Sequence, residues 1–330
     1  MSEEYIQKTH LILQKLRQQL NQSMVLDKWL VDQLLIALLN QGHLLLEAAP
    51  GLGKTTLVKV LSKIMGLEYQ RVQCTPDLMP SDITGANVFN PKTQEFTLHK
   101  GPVFTQLLLV DEINRTSPRT QSALLQAMAE RNVTLDRTTY NLDQQFLVMA
   151  TQNPVEFSGT YPLPEAQLDR FFIKLNIEYP NAISLKKIAQ INLTQQPEQG
   201  LKPLINPKIL AQLQTVVTKT VIKDDVLEYA AEFCDAINQH SDIRIGVSPR
   251  GCVALIKAAK AYALLQQRQY VTPDDLLIMA SPVLSHRLLS VKDINFDKAF
   301  FQKIALMIPA PGTGQHQDTQ KQANTGLALV

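Results

Sequence analysis

One short glycine-containing run constrains the fold of this chain more than any other part of the sequence. The run AAPGLGKT at 48–55 follows the apolar residues 44–46 and precedes the amphipathic segment 57–64. This order predicts a strand, a loop and a helix. A triphosphate needs a concave loop of backbone N–H groups, a helix N-terminus behind it and a lysine for the terminal phosphates. The pattern therefore predicts a nucleoside triphosphate site.

The predicted phosphate contacts come from this loop and from the first turn of the helix after it. They are Ala49, Pro50, Gly51, Leu52, Gly53, Lys54, Thr55 and Thr56. We expect Lys54 to bind the terminal phosphates and the hydroxyl of Thr55 to bind Mg²⁺. The usual pattern begins with glycine, whereas this chain has Ala48, and only a positive φ or a very close backbone would exclude the methyl group. The alternative is a strand-to-helix turn without a ligand.

Two acidic residues end a second apolar run. Residues 107–110 (LLLV) predict a buried strand, and Asp111 and Glu112 follow it directly. Because neighbouring residues of a strand point to opposite faces, the two carboxylates can divide two tasks. We expect Asp111 to hold Mg²⁺ through its water shell, together with Thr55, and Glu112 to polarise the attacking water. The alternative is a solvated acidic turn.

Asn153 follows the predicted strand 146–150. A neutral amide close to the terminal phosphate would orient the lytic water or report the loss of phosphate. The dipeptide Asn153-Pro154 is also a common turn former. The residue pattern alone leaves both interpretations open.

Short apolar strands alternate with helices between residue 42 and about residue 180. The predicted strands are 44–46, 69–74, 107–110, 146–150 and 172–177. This alternation around a nucleotide loop predicts an α/β domain with a parallel sheet that is covered on both faces. Two stretches inside it, 85–103 and 132–146, are predicted to be hairpin inserts. They are either ordinary surface hairpins or loops that touch a partner.

The flanking segments are predicted to be helical or unstructured. Residues 1–41 have helical periodicity, and we expect strands to disappear after Pro180, which leaves a helical domain at 181–308. Residues 309–330 are rich in Gln, Thr and Gly, which predicts a disordered tail. The nucleotide-binding core then spans 42–180.

The composition argues against several classes of protein. A net charge of +2 gives no basic field of the kind that nucleic-acid binders show. The longest apolar runs are too short to span a membrane, and the N-terminus has no apolar signal core. The three cysteines, Cys74, Cys234 and Cys252, have neither a disulfide nor a zinc-binding pattern. These features predict a cytoplasmic protein.

Several long segments resemble the MoxR branch of the AAA+ ATPases. They are QCTPDLMPSDITG at 73–85, DEINRTSPRTQSALLQAMAER at 111–131, ATQNPVEFSGTYPLPEAQLDRFF at 150–172, SPRGCVALIKAAKAYA at 248–263 and YVTPDDLLIMASPVLSHRL at 270–288. The resemblance is collinear and extends to about residue 308. It implies the fold of that branch: a P-loop AAA+ core, with helices on both faces of a parallel sheet, and a small all-α lid domain after it.

The resemblance also implies roles for individual residues. Lys54 and Thr55 match Walker A, Asp111 and Glu112 match Walker B, and Asn153 matches sensor 1. The family has Val-Gly-Gln near the adenine site, where this chain has MVLD at 24–27, and Cys74 stands where an aromatic residue is more usual.

Four arginines receive roles in the same way. Arg170 matches the arginine finger, which in such ATPases reaches the γ-phosphate of the neighbouring subunit, and Arg250 matches sensor 2 at the start of a lid helix. The alternatives are an ion pair with a neighbouring acidic residue for Arg170 and a plain surface arginine for Arg250. Arg115 and Arg119 follow Walker B and either contact the next subunit or are solvated.

The implied function is that of an ATPase that uses ATP and Mg²⁺ to remodel or mature another protein. The implied assembly is a ring, as a hexamer, with a separate partner that carries a von Willebrand factor A-like domain. The inserts 85–103 and 132–146 resemble the helix-2 insert and the pre-sensor-1 hairpin, which engage substrates or partners in relatives. The rival interpretations are a chelatase-type motor subunit, a nucleic-acid-dependent motor and a nucleotide-gated scaffold with little hydrolysis.

Overall fold

The chain forms two compact units, which are Met1–Val217 and Thr218–Val330. The computed structural model describes residues 3–92, 94–152, 160–194, 197–292 and 294–309. The predicted domain boundary at residue 180 lies earlier than the division between the units because it follows the last predicted strand, and the domain limits stay a prediction. The predicted tail lies outside the described residues from residue 310 onward.

The first unit combines helices with strands in the predicted alternation. Its helices are α1 (Glu3–Ser23), α2 (Lys28–Leu39), α3 (Lys54–Met65), α4 (Pro80–Thr84), α5 (Pro118–Glu130), α6 (Glu165–Leu168), α7 (Ala182–Thr194) and α8 (Pro207–Thr218), which ends at the division. Its strands are β1 (Leu44–Ala48), β2 (Tyr69–Gln73), β3 (Gly85–Asn90), β4 (Glu95–Lys100), β5 (Leu107–Asp111), β6 (Asn132–Leu135), β7 (Thr138–Asn141), β8 (Leu147–Gln152) and β9 (Ile173–Ile177). The five predicted core strands are β1, β2, β5, β8 and β9.

These five strands form one parallel sheet in the order β2-β5-β8-β1-β9. Every residue of β5 is buried, as expected for a strand that is covered on both faces. Helix α5 covers one face, where Leu124 and Leu125 pack with Leu108 and Val110 in the hydrophobic core. Because the strands are parallel, the loops that follow them leave from the same edge of the sheet. The predicted α/β core with a parallel sheet is confirmed.

Both predicted inserts form antiparallel hairpins. Strand β3 pairs with β4, and β6 pairs with β7. Asp136, with a φ of 55°, and Arg137 make the two-residue connection of the second hairpin. Asn87 Nδ2 on the first hairpin donates to Asp136 Oδ2 at 2.7 Å, so the two hairpins touch each other. Their contact with a partner stays a prediction.

The second unit is mainly helical, as predicted. Its helices are α9 (Asp224–Gln239), α10 (Pro249–Leu265), α11 (Pro273–Leu284) and α12 (Lys298–Ala305). The expectation that strands disappear after Pro180 is wrong in one place, because β10 (Ile243–Ile245) and β11 (Leu289–Ser290) form a short antiparallel ribbon. Strands of three and two residues are too short to show an alternating pattern. Among the described residues, none of the helices combines the length and the apolar character that a membrane span requires.

Candidate nucleotide-binding site

The predicted phosphate loop joins the buried strand β1 to helix α3. Gly51 and Gly53 have φ angles of 81° and 78°, in the left-handed region that glycine adopts without strain. Ala48, by contrast, is the last residue of β1, where it is buried and pairs with Ile177. An extended residue tolerates a side chain. A methyl group therefore fits at the position where the usual pattern has glycine.

The first turn of α3 presents its amide groups without a capping side chain. The N-cap residue is Gly53, whereas Asp27 and Ser248 cap α2 and α10 with their side-chain oxygens. Amide groups at a helix start need acceptors, and a phosphate supplies them in a favourable helix dipole. Lys54 Nζ donates to Ala48 O at 3.1 Å, which holds the ammonium group across the loop. The loop is thus suited to an anion.

Asp111 ends β5 with both carboxylate oxygens held by neighbouring strands. Arg71 Nη2 on β2 lies 2.7 Å from Oδ2, and Thr151 Oγ1 on β8 donates to Oδ1 at 2.7 Å. Asp111 is only 8% exposed, so its negative charge needs a partner at this depth. The guanidinium of Arg71 balances that charge, and the hydroxyl of Thr151 fixes the plane of the carboxylate.

Glu112 follows the strand in a left-handed turn. Its φ is 59°, and β5 already ends at Asp111, so the expected alternation of strand faces does not extend to Glu112. The N–H of Glu112 donates to Thr151 Oγ1 at 2.8 Å. Its Oε2 accepts from Gln73 Nε2 at 3.2 Å and pairs with Arg115 Nη1 at 3.1 Å. A left-handed conformation costs a residue such as glutamate about 1–3 kcal/mol in backbone strain. Thr151, Gln73 and Arg115 hold Glu112 in this conformation.

The sheet order brings the phosphate loop to the same edge as these carboxylates. Strand β8 lies between β1 and β5, and Thr151 on β8 is in register with Leu46 on β1. Neighbouring strands lie about 4.8 Å apart, so the ends of β1 and β5 are separated by about 10 Å. This separation suits a triphosphate that binds the loop and directs its terminal phosphate to Asp111 and Glu112.

Thr55 and Asp111 fit a magnesium ion that arrives with a nucleotide. The described residues contain no group of three His, Cys, Asp or Glu side chains that could hold a metal ion alone. Mg²⁺ needs no such group, since it is usually bound by one or two carboxylates, by substrate phosphates and by water. Each carboxylate oxygen of Asp111 keeps a second lone pair beyond the hydrogen bond that it accepts. The donor set of hydroxyl and carboxylate oxygens matches this hard cation.

The remaining predicted site residues lie in three different places. Asn153 lies outside the described residues, so its role as a sensor stays a prediction. Arg170 follows α6 in the first unit, where its Nη1 donates to Ala166 O at 3.2 Å. Arg250 lies in the first turn of α10 in the second unit, and its side chain is exposed. The roles of both arginines also stay predictions.

Three residues of this site were not predicted: Arg71, Gln73 and Thr151. Arg71 and Gln73 are two positions apart on one strand and therefore share a face, but only the strand order shows that this face lies beside Asp111.

A further contact concerns the segment 24–27. A Cβ placed on Gly53 would lie 4.0 Å from Met24 Cε, so Met24 lies beside the phosphate loop.

Comparisons with known proteins agree on one family. The model of the "ATPase family associated with various cellular activities (AAA)" matches residues 43–173, and the AAA lid domain matches residues 235–304. YeaC, an uncharacterized protein of Bacillus subtilis, is 45% identical over 293 residues, which cover 89% of this chain and 92% of YeaC. Chaperone MoxR1 of Mycobacterium tuberculosis is 37% identical over 278 residues, which cover 82% of this chain and 73% of MoxR1. The chain belongs to the MoxR family of AAA+ ATPases.

A solved structure extends this MoxR-family assignment to the fold. The crystal structure of a candidate ATPase from Cytophaga hutchinsonii superimposes with a TM-score of 0.85 at 34% sequence identity, and the match covers 93% of this chain and 97% of that one. The matched AAA segment contains the phosphate loop, Asp111 and Glu112, and the matched lid segment contains α10. The predicted AAA+ core with a helical lid is therefore confirmed, and membership of this ATPase family implies nucleotide binding.

Proposed function

We propose that this MoxR-family protein hydrolyses ATP. The main support for this proposal is the hydroxyl of Thr151, which donates to the Asp111 carboxylate and accepts from the backbone N–H of Glu112. Thr151 lies at the sheet edge that also holds the phosphate loop. The loop amides bind the phosphates of ATP, and Lys54 exchanges its bond to Ala48 O for the terminal phosphates. Glu112 orients and polarises the water that attacks the γ-phosphate.

The proposed reaction depends on Mg²⁺, which Thr55 and Asp111 hold. The ion neutralises negative charge that develops on the phosphate oxygens. Arg71 and Thr151 keep the Asp111 carboxylate in one orientation while it binds the hydrated ion. Gln73 and Arg115 likewise restrain Glu112 until the nucleotide is in place.

The proposal includes a ring, as a hexamer, in which Arg170 completes the site of the next subunit. A guanidinium offers forked donors and a permanent positive charge to the transferring phosphoryl group. The Arg170 side chain is partly exposed, and its Nη1 donates to Ala166 O at 3.2 Å. Arg250, at the start of α10, would sense the nucleotide from the lid.

ATP turnover would drive the remodelling, maturation or assembly of another protein in the cytoplasm. The relative MoxR1 is described as a chaperone, which supports this role. The hairpin β3–β4 offers a contact surface: Phe89 and Phe96 face each other across the strands, are 50% and 70% exposed, and have ring centroids 5.3 Å apart. Exposed aromatic pairs commonly contact apolar segments of partners. We also propose that the chain works with a separate partner that carries a von Willebrand factor A-like domain. Insertion of a metal cofactor into a target protein is one form that the proposed maturation takes.

Steady-state ATP hydrolysis by the purified chain tests the enzymatic part of this proposal. We expect turnover with Mg²⁺, none with a chelator, and a rate per subunit that rises with protein concentration as rings assemble. The absence of Mg²⁺-dependent turnover at every concentration would contradict the proposal.

Stimulation by DNA or RNA that falls steeply with salt would instead favour a nucleic-acid-dependent motor. Partners retained by a Glu112→Gln chain in ATP, identified by mass spectrometry, would test the remodelling role.

A further inference from the structure

One nitrogen of Arg71 bonds to two side chains at the carboxyl end of the parallel sheet. Arg71 Nη2 lies 2.7 Å from Asp111 Oδ2 and 2.6 Å from Gln73 Oε1. A terminal nitrogen of a guanidinium carries two hydrogens, so these two bonds use both of them. The contact of Arg71 with Asp111 and its contact with Gln73 are therefore lost together when this nitrogen moves.

The amide of Gln73 extends this contact to Glu112. Its Nε2 donates to Glu112 Oε2 at 3.2 Å, while its Oε1 accepts from Arg71. Because a guanidinium only donates and an ionised carboxylate only accepts, one orientation of the amide alone satisfies both neighbours. Arg71 thus decides which way the Gln73 amide points, and that amide holds Glu112. Two side chains of β2 therefore connect the proposed metal ligand Asp111 to the proposed water-activating carboxylate.

The two partners of the Arg71–Asp111 ion pair differ in their access to water. Arg71 lies on β2, the first strand in the sheet order, and 43% of its side chain is exposed, whereas Asp111 is buried. The guanidinium can move into water at little cost. The carboxylate stays buried and then needs another positive charge. A hydrated Mg²⁺ ion beside Asp111 would supply that charge and would repel the guanidinium.

We propose that Arg71 is an exchangeable counter-cation of Asp111, and that its exchange for Mg²⁺ releases Glu112 from Gln73. Arg71 moves toward solvent when the ion takes over the charge balance of Asp111. The amide of Gln73 then loses the donor that fixes it and no longer holds Glu112, which stays paired with Arg115. Arg71 is a positioning residue, since it acts on Glu112 through Gln73. The release of Glu112 rests on the proposed function, in which this carboxylate activates water.

Urea unfolding of the nucleotide-free, full-length chain tests the exchange of cations without any turnover. Arg71→Gln leaves the buried Asp111 without its counter-charge, so the chain should be less stable than the wild type, and Mg²⁺ alone should restore most of the loss. If this variant is unfolded without metal, it should fold when Mg²⁺ is added. The wild type should gain little from Mg²⁺, because Arg71 already balances Asp111.

Two further variants control this measurement. The Arg71→Gln/Asp111→Asn chain has no carboxylate to balance, so Mg²⁺ should stabilise it no more than the wild type. Arg71→Lys keeps a positive charge beside Asp111 and should respond to Mg²⁺ less than Arg71→Gln does. The proposal is overturned if Mg²⁺ does not reduce the loss in Arg71→Gln, or if it stabilises the double variant as strongly as the single one.

The dependence of ATP turnover on free Mg²⁺ tests the link to Glu112. In Arg71→Gln the half-saturating Mg²⁺ concentration should fall about tenfold, because a hydrogen bond to a charged group no longer has to be broken. Gln73→Leu removes the restraint on Glu112 but leaves Arg71 on Asp111. Its half-saturating concentration should therefore match the wild type, and its turnover at saturating Mg²⁺ should be no lower. Gln70→Leu, at an exposed position on the opposite face of β2, is the matched control and should change neither value.

Two results would contradict the link to catalysis. An unchanged or higher half-saturating Mg²⁺ concentration in Arg71→Gln would show that Arg71 does not compete with the ion. A Gln73→Leu chain as slow as Glu112→Gln would show that Gln73 aligns Glu112 for catalysis instead of restraining it. If the wild-type chain has no turnover, the proposed function fails, but the unfolding data still decide whether Mg²⁺ replaces Arg71 at Asp111.

Discussion

The single hydroxyl group of Thr151 donates to the carboxylate of Asp111 and accepts from the backbone N–H of Glu112. The Thr151→Val change keeps the shape of this fully buried side chain but leaves the N–H of Glu112 without its acceptor and Asp111 Oδ1 without its donor. We expect unfolding to become easier by about 1–3 kcal/mol and ATP turnover to fall. Denaturant unfolding and steady-state hydrolysis measure the two effects. Thr151→Ser keeps the hydroxyl and is the control, so equal results for both variants would contradict the role assigned to this bond.

The buried side chain of His43 is expected to make the stability of the folded chain sensitive to acid. Val148 N–H donates to His43 Nδ1 at 3.0 Å, so Nε2 carries the proton and donates to Met128 O at 3.1 Å. Burial lowers the pKa of His43 from 6.5 to about 4. The folded state thus favours neutral His43, and the unfolded chain takes up a proton as the pH falls below 6.5. The stability from this residue is complete above that pH and is lost between 6.5 and about 4, by about 3 kcal/mol in total.

Urea unfolding at about pH 7 and about pH 4.5 checks the His43 prediction. His43→Gln should weaken the loss of stability in acid. The matching change His99→Gln, at an exposed position on β4, should leave that loss as it is in the wild type. The same acid response in all three chains would show that His43 does not cause it.

Residues that form a local motif could be predicted, and residues that meet only in the fold could not. Lys54 and Glu112 lie within short patterns whose chemistry is visible in the sequence. Arg71 and Thr151 reach Asp111 from the two strands on either side of β5, and nothing local in the sequence specifies that order. The left-handed turn at Glu112 was also missed, because glutamate rarely adopts that conformation.

Strands and hairpins could be predicted from the sequence where they are long enough to show an apolar pattern or turn residues. Apolar runs marked the five core strands, and the turn residues at 90–92 and 136–137 marked the two hairpins. The ribbon of β10 and β11 was missed because its strands are very short and far apart in the sequence.

Asp275 fixes the start of helix α11. Its carboxylate is 1% exposed and accepts from Arg268 Nη1 and Nη2 at 2.8 and 2.5 Å and from the N–H of Thr272 at 2.8 Å. Asp275→Asn removes the counter-charge of Arg268, so we expect a loss of about 3 kcal/mol in the free energy of unfolding. Asp274→Asn, at the exposed neighbouring position, should cost less than about 0.5 kcal/mol. Chemical unfolding compares them, and equal losses would contradict this role of the buried pair.

A ring with Arg170 acting between subunits predicts complementation. Lys54→Ala and Arg170→Ala chains should each be poorly active, since one lacks the phosphate lysine and the other lacks the finger. In rings assembled from an equal mixture, about one interface in four combines an intact loop with an intact finger. We therefore expect about a quarter of wild-type turnover, measured after native mass spectrometry has verified mixed rings. Mixed rings without recovery would assign the finger to another residue.

At the scale of the molecule, the family and the core fold could be predicted from the sequence, but the assembly could not. Long collinear motifs carried the assignment, and the comparisons confirmed it over most of the chain. Ring size, partner and cytoplasmic location depend on surfaces and surroundings that a single sequence does not encode in any local pattern. These remain proposals with their own tests.

The proposed ATPase activity depends on Glu112, which follows Asp111 directly and activates the water that attacks ATP. Glu112→Gln keeps the size of the side chain and an oxygen for Gln73 and Arg115, but it removes the negative charge. Parallel measurement of ATP binding and of turnover should show binding close to wild type and turnover lower by about a hundredfold or more. Glu130→Gln, an exposed change on α5, should leave both unchanged. Turnover of the Glu112→Gln chain at the wild-type rate, with equal ATP binding, would contradict the catalytic role of Glu112.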